Sequence, residues 1–184
     1  MAKPKTPTVA PSLTKLLPLL ADQLVLETPG AIRKAAARSA SPPWCCALVF
    51  DGSLPDACLP PDLAIVTVTE REATLRDHAK AGGRYVWSCL QYDGVGAAWF
   101  TNRALLRACA EVTEHLVNRD EAMAAVKLLA AVARRLNDLP RKSFGKVSDD
   151  FVVYAFDRNQ PATALVERSL TARQRTDFQR RGLL

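Results

Sequence analysis

Hydrophobic and polar positions along this chain fall into blocks that predict both strands and helices. Three blocks are apolar at nearly every position and have the length of strands buried on both faces: residues 44–50, 63–69 and 151–156. The second is rich in β-branched residues, which favours a central strand. Residues 85–90 alternate in character, which fits a fourth strand.

Longer blocks have the spacing of amphipathic helices. Leucines share one face of residues 12–26, and Thr28 followed by Pro29 predicts a second helix that ends near residue 39. The chain is again helical in pattern from Trp99. Two helices are predicted there by apolar residues at spacings of three and four: Leu105, Cys109, Val112 and Leu116 in the first, and Ala122, Val126, Leu129, Ala133 and Leu136 in the second. A short link between them indicates an antiparallel pair.

Two capping boxes predict further helix starts. Thr69 and Glu72 open a helix to about residue 80, and Thr171 and Gln174 open a final helix that ends near Gly182. Between the helices, residues 93–96 and 157–161 have turn composition. Residues 164–170 are predicted to be a short edge strand or an extended segment.

These elements predict one α+β domain over residues 12–184, with a small, mainly antiparallel sheet covered by helices. Residues 1–11 are rich in proline and lysine and are predicted to be a flexible tail. No apolar stretch approaches the roughly 20 residues that span a bilayer. The early prolines do not fit a signal peptide, so we expect a cytoplasmic protein with no membrane partner.

Charge is concentrated at the two ends of the chain. The net charge is +6; residues 1–40 and 101–184 are basic, whereas residues 41–100 are acidic. Arginine outnumbers lysine and alanine is abundant, which is typical of GC-rich bacterial coding. Seven basic residues in two segments form the candidate interaction surface: Arg141, Lys142, Lys146, Arg173, Arg175, Arg180 and Arg181.

The cysteines do not predict disulfides, a metal site or a nucleophile. There are five, an odd number, and none forms a C-x-x-C pair. Most lie in apolar runs, where a reduced cysteine behaves as a small hydrophobe. Cys58 is the loop cysteine and is expected to be exposed, with Asp56 raising its pKa. His78 and His115 have no second ligand one helical turn away, so no metal is expected.

No other motif predicts a cofactor or catalysis. Gly94 and Gly96 lack the third glycine of a dinucleotide fingerprint. Asp149 and Asp150 have the chemistry of a magnesium pair, but basic neighbours such as Lys142 favour simple charge compensation. We therefore expect no cofactor and no enzymatic activity.

The C-terminal third resembles a family of uncharacterised bacterial domains. The resemblance rests on a helix that ends Ala133-Arg134-Arg135-Leu136-Asn137, on the strand region of residues 149–157, and on Arg168-Ser169-Leu170. Members of that family lie near toxin loci, beside immunity proteins of the SUKH type. The resemblance implies a protein that binds and neutralises a toxin. Nuclease-immunity proteins are often acidic, whereas this chain is basic, which implies an acidic face on its target.

Three hypotheses for function follow. The first is a non-catalytic protein-binding domain of the immunity type, with a protein partner such as a toxin. The second is a nucleic-acid-associated protein that uses the basic C-terminal segments. The third is an enzyme of unknown type.

Overall fold

A four-stranded mixed sheet forms the centre of the molecule. The computed structural model describes residues 12–54, 56, 58–78, 83–88, 95–119, 121–161 and 163–184. In chain order the strands are β1 (Pro43–Phe50), β2 (Asp62–Thr67), β3 (Val95–Ala98) and β4 (Val152–Asp157), and their order across the sheet is β3-β2-β1-β4. Two of the three pairings are antiparallel, and β1 pairs with β4 in parallel. The predicted α+β class and mainly antiparallel sheet are confirmed.

In the part of the chain that the structure describes, α-helices and short 3-10 turns surround the sheet. The helices are α1 (Leu13–Ala36), α2 (Val68–Asp77), α3 (Arg103–Arg119), α4 (Ala122–Asn137), α5 (Val166–Ser169) and α6 (Ala172–Arg180); the 3-10 turns are Gly83–Trp87 and Arg141–Phe144. The predicted tail, residues 1–11, lies outside the described residues.

β1 is buried along its whole length because it lies between two strands and is covered on both faces. Alternate residues such as Cys46 and Leu48 face a core built mainly with α1, α3 and α4. Their neighbours, Ala47 and Val49, face a second core that includes the first 3-10 turn and α6. This burial on both faces explains why the strand lacks an alternating polar pattern.

The first helical region is one helix, not two. Thr28 and Pro29 were predicted to start a second helix, but α1 is continuous across them. The Thr28 hydroxyl donates to the carbonyl oxygen of Leu24 at 2.6 Å, as threonines inside helices often do. An internal proline costs about 3 kcal/mol. Buried side chains before and after it, such as Leu24 and Ile32, offset that cost.

The predicted start of α2 was wrong by two residues. The capping box is formed by Thr67 and Glu70, not by Thr69 and Glu72, so β2 ends at Thr67. The Glu70 carboxylate accepts from the backbone N–H of Thr67 at 2.7 Å. Thr69 lies in the first helical turn, and its hydroxyl is 2.9 Å from that of Ser41. Two overlapping T-x-x-E patterns satisfy the same sequence rule.

Other local predictions also change. The proposed strand at residues 85–90 contains part of the 3-10 turn Gly83–Trp87, and residues 89 and 90 lie outside the described part of the chain. The third strand of the sheet is Val95–Ala98, and its first two residues belong to the segment 93–96 that was predicted to be a loop. The expected extended segment at residues 164–170 contains the short helix α5.

The predicted face of α3 is confirmed, and so is that of α4 except at Ala122, which is only half-buried. All four apolar residues assigned to the inner face of α3 are at most 1% exposed, and on α4 Val126, Leu129, Ala133 and Leu136 are equally buried. α3 begins at Arg103 rather than near Trp99, because the side-chain oxygen of Asn102 accepts from the backbone N–H of Ala104 at 2.9 Å and caps the helix.

Side chains from α4 and α5 cover the outer edge of β4. Asn137, the last residue of α4, accepts from Val153 N–H at 2.8 Å and donates to Val153 C=O at 2.7 Å. Ser169 accepts from Ala155 N–H at 3.0 Å. These bonds occupy ladder groups that an edge strand would otherwise present to other chains.

An aromatic cluster packs on the second face of the sheet. Trp87 lies within 5.3 Å, between ring centroids, of Trp44, Tyr154 and Phe178. Its indole N–H donates to the carbonyl oxygen of Leu183 at 2.5 Å. A Cβ at Gly83 would collide with the carbonyl oxygen of Gly182. The C-terminal residues therefore pack directly on the first 3-10 turn.

Candidate functional site

A groove of about 720 Å³ opens between the second 3-10 turn and α6. Three buried phenylalanines, Phe144, Phe151 and Phe178, contribute to its apolar lining. Its charged lining residues are Arg141, Asp149, Asp150, Arg173, Asp177 and Arg180. The groove therefore combines an apolar surface with side chains of both charges.

Local backbone chemistry fixes both walls of this groove. Gly145 ends the second 3-10 turn with φ of 83°, a conformation that glycine adopts at little cost. On the other wall, Thr171 and Gln174 form the predicted capping box at the start of α6, which is confirmed. Gln174 accepts from the Thr171 N–H at 2.9 Å.

The structure brings the two basic segments together, but not all of their residues. Arg141 from the first segment and Arg173 and Arg180 from the second line the same groove. Arg181 lies next to it, bonded to the lining residue Asp150. The remaining three candidates are not part of the lining: Lys142, Lys146 and Arg175.

Most of the arginines around the groove already have carboxylate partners. Arg141 lies 3.4 Å from Asp149, so the partner of this carboxylate is an arginine rather than the predicted lysine. Arg180 lies 2.6 Å from Asp177, and this pair is exposed. Hydrogen bonds from Arg180 are the largest influence on Asp177 and lower its pKa.

Asp150 connects three parts of the chain at the edge of the groove. It lies 2.7 Å from Arg71 of α2 and 2.7 Å from Arg181, and it accepts from the Ser148 hydroxyl at 2.9 Å. Burial alone would raise the pKa of Asp150. The hydrogen bonds from Arg181 and Ser148 and the charges of both arginines outweigh that effect and lower the pKa.

Aromatic rings hold the two arginine partners of Asp150 in place. The guanidinium carbon of Arg71 lies 5.2 Å from the ring centroid of Trp44, and that of Arg181 lies 5.4 Å from that of Phe178. This carboxylate is therefore a structural junction between the groove and the aromatic cluster.

Arg173 differs from the other arginines of the groove. It is exposed, and it forms no ion pair with any described residue. A guanidinium with unused donors is suited to a carboxylate or phosphate from a partner.

Two residues of this region were not predicted from the sequence. Arg71 is 79 positions from Asp150, and it lies in a helix whose sequence shows no pattern that points to the C-terminal segment. In the sequence, Asn137 was identified only as the last residue of a predicted helix. Its three bonds to β4 and α5 depend on tertiary packing.

The thiols of Cys58 and Cys109 lack the properties of a nucleophile. Cys58 is buried, contrary to the predicted exposure, and its thiol contacts the carbonyl oxygens of Asp51 and Leu54. Burial, followed by the charges of Asp157, Asp51 and Asp56, raises the pKa of Cys58 to about 11. Burial raises the pKa of Cys109 to about 12. At neutral pH both groups remain thiols, which are poor nucleophiles.

No three histidine, cysteine or acidic side chains among the described residues are grouped so that they could hold a metal ion. Within the same described ranges, no helix is both long and apolar enough to cross a membrane.

Comparison with known proteins adds no relative. No family model, curated protein or solved structure matches the chain.

Proposed function

We propose that this chain is a non-catalytic bacterial protein-binding domain and that its partner docks in the groove between the second 3-10 turn and α6. The observation that carries the proposal is the environment of Arg173. This exposed guanidinium lines an open groove of about 720 Å³ and has no carboxylate partner among the described residues.

The lining of the groove favours a protein partner. Buried aromatic rings next to paired charges resemble a protein interface, where apolar anchors are surrounded by polar contacts. Asp149, Asp150 and Asp177 are each paired within the fold. Arg173 therefore remains to receive an acidic side chain from the partner. An acidic target face is also what the basic charge of this chain implies.

The specific form of the proposal is an immunity-type protein that acts in the cytoplasm and neutralises a toxin. It is supported by the resemblance of residues 130–184 to bacterial domains found near toxin-immunity loci.

The nucleic-acid alternative at the basic C-terminal segments has less support. Arg141, Arg180 and Arg181 each lie within 3.4 Å of a carboxylate oxygen. A phosphate backbone would have to compete with these carboxylates for three of the seven candidate cations.

The test compares two charge reversals of the same kind. Arg173→Glu places a negative charge in the groove, whereas Arg168→Glu makes the same change at an exposed residue of α5 that does not line the groove. A toxin encoded beside this gene is co-expressed with each form, and its binding to each purified form is measured by calorimetry. We expect Arg173→Glu to weaken binding about tenfold or more and to lose growth protection, because like charges then meet at the interface. Arg168→Glu should behave as the parent chain.

The proposal fails if both reversals bind equally. It also fails if no stoichiometric protein partner is recovered from the source cell and no neighbouring toxin is neutralised.

A further inference from the structure

A second, smaller pit lies between the end of α1 and the chain that follows β3. Its volume is about 260 Å³, and none of its lining residues belongs to the groove described above. One wall is a single face of the helical region, formed by Ala31, Lys34, Ala35 and Arg38 at spacings of three and four. Trp99 forms part of the opposite wall.

Trp99 is 60% exposed, whereas Trp44 and Trp87 are fully buried. Its neighbours Ala98 and Phe100 are both buried. The indole therefore faces outwards, while the residues on either side pack inwards. An exposed indole beside a surface of alanine side chains provides a flat, apolar platform.

Lys34 and Arg38 supply positive charge at the same pit. Both are exposed, and neither forms an ion pair with a described residue. Cations near the end of a helix complement its dipole, which is their simplest role. Two like charges one helical turn apart also repel each other, so an anion held between them would be stabilised.

We propose that this pit binds a nucleoside phosphate, with the base stacked on Trp99 and the phosphate held by Lys34 and Arg38. An aromatic platform beside unpaired cations is the combination that recognises nucleotides without hydrogen-bond readout of the base. The volume lies just below the usual range for ligand pockets, about 300–1,000 Å³, which suits one nucleotide unit rather than two. That unit is either a free nucleotide or one residue of a single strand.

The binding experiment uses the whole chain and four probes: adenosine 5′-monophosphate, adenosine, inorganic phosphate and a short single-stranded oligoadenylate. Tryptophan fluorescence reports stacking on Trp99, because the other two indoles are buried. Calorimetry measures the affinity independently. We expect saturable quenching by the monophosphate, and weaker binding of adenosine and of phosphate alone. Tighter binding of the oligonucleotide than of the monophosphate identifies a strand as the source of the ligand, and equal or weaker binding identifies the free nucleotide.

Variants separate the stacking contribution from the charge contribution. Base stacking is worth about 1–3 kcal/mol, so Trp99→Ala should reduce affinity by roughly 5- to 150-fold, whereas Trp99→Phe should retain most of it. Lys34→Ala and Arg38→Ala should each weaken binding and reduce its salt dependence. Lys127→Ala removes an exposed lysine of α4 that does not line the pit and should change nothing. Thermal melting confirms that each variant is folded.

The proposal is overturned if Trp99→Ala binds the monophosphate as well as the parent chain. It is also overturned if phosphate and the monophosphate bind equally, or if none of the probes binds at millimolar concentration. The groove proposal does not depend on these results, because none of the substitutions changes a groove residue.

Discussion

At the scale of single residues, Asp150 connects more parts of the fold through its charge than any other residue of the groove. Its two arginine partners come from α2 and from the end of α6, and both also contact aromatic rings of the second core. The side chains of Arg71 and Asp150 are 13% and 24% exposed, so solvent screens this pair less than an ordinary surface pair. The carboxylate therefore links the wall of the groove to the packing of the aromatic cluster.

Asp150→Asn is expected to destabilise the fold by about 1–2 kcal/mol at neutral pH, because Arg71 loses its charged partner and Arg181 keeps only Asp177, at 3.3 Å. Asp149→Asn is the matched control. Asp149 is exposed and lies 3.4 Å from Arg141, so its loss should cost less than about 0.5 kcal/mol. Urea unfolding of the two variants measures both effects, and equal losses would contradict this role for Asp150.

The difference in stability between the parent chain and Asp150→Asn should depend on pH. The pKa of Asp150 is lowered in the folded chain, so its stabilisation is present above the pKa of an unfolded aspartate, about 3.9. It is lost as pH falls through the lower folded pKa. The stability difference between the parent chain and Asp150→Asn should therefore be constant near neutral pH and shrink below about pH 4.

At the scale of elements, the edge of β4 depends on side chains rather than on another strand. Asn137 bonds to both backbone groups of Val153 and donates to the carbonyl oxygen of Ser169 at 2.9 Å. It thus holds the end of α4, the edge of β4 and α5 together. Asn137 also positions the second wall of the groove, because only two residues separate the end of α5 from the start of α6.

Asn137→Ala is expected to destabilise the protein by about 2–4 kcal/mol, since three hydrogen bonds are lost and two backbone groups of a buried strand are left without partners. Asn118→Ala, at an exposed position of α3, should change stability by less than about 0.5 kcal/mol. Thermal and urea unfolding provide the comparison. A loss below 1 kcal/mol for Asn137→Ala would show that water replaces the asparagine at this edge.

The sequence predicted correctly those elements in which one hydrophobic pattern dominates. The apolar runs of β1 and β4 and the inner faces of α3 and α4 are buried as expected, because periodicity reports burial directly. The errors occurred where two local rules competed. Thr28 and Pro29 match a helix start, yet tertiary packing continues α1 through them. Thr67 and Thr69 both match a capping box, and strand pairing selects Thr67.

At the scale of the whole molecule, long-range pairing creates the features that local patterns could not predict. The parallel pairing of β1 with β4 joins residues more than a hundred positions apart. It also places the Asp149–Phe151 segment next to the start of β1, where Ser148 N–H donates to the carbonyl oxygen of Pro43 at 2.9 Å. Clusters of basic residues were visible in the sequence. The pairing of Arg141 with Asp149 and of Arg180 with Asp177 depends on the fold. So does the position of Arg173, which lines the same groove without an ion pair to any described residue.

Amide hydrogen exchange with and without the protein partner tests the central claim most directly. If the partner docks in the groove, exchange should slow in both of its walls, residues 141–151 and 171–181, because binding removes these segments from solvent. α3 lies outside the groove lining and serves as the internal reference. Protection of both walls with α3 unchanged is the predicted result. Protection elsewhere on the chain, with both walls exchanging at their free rates, would contradict the account.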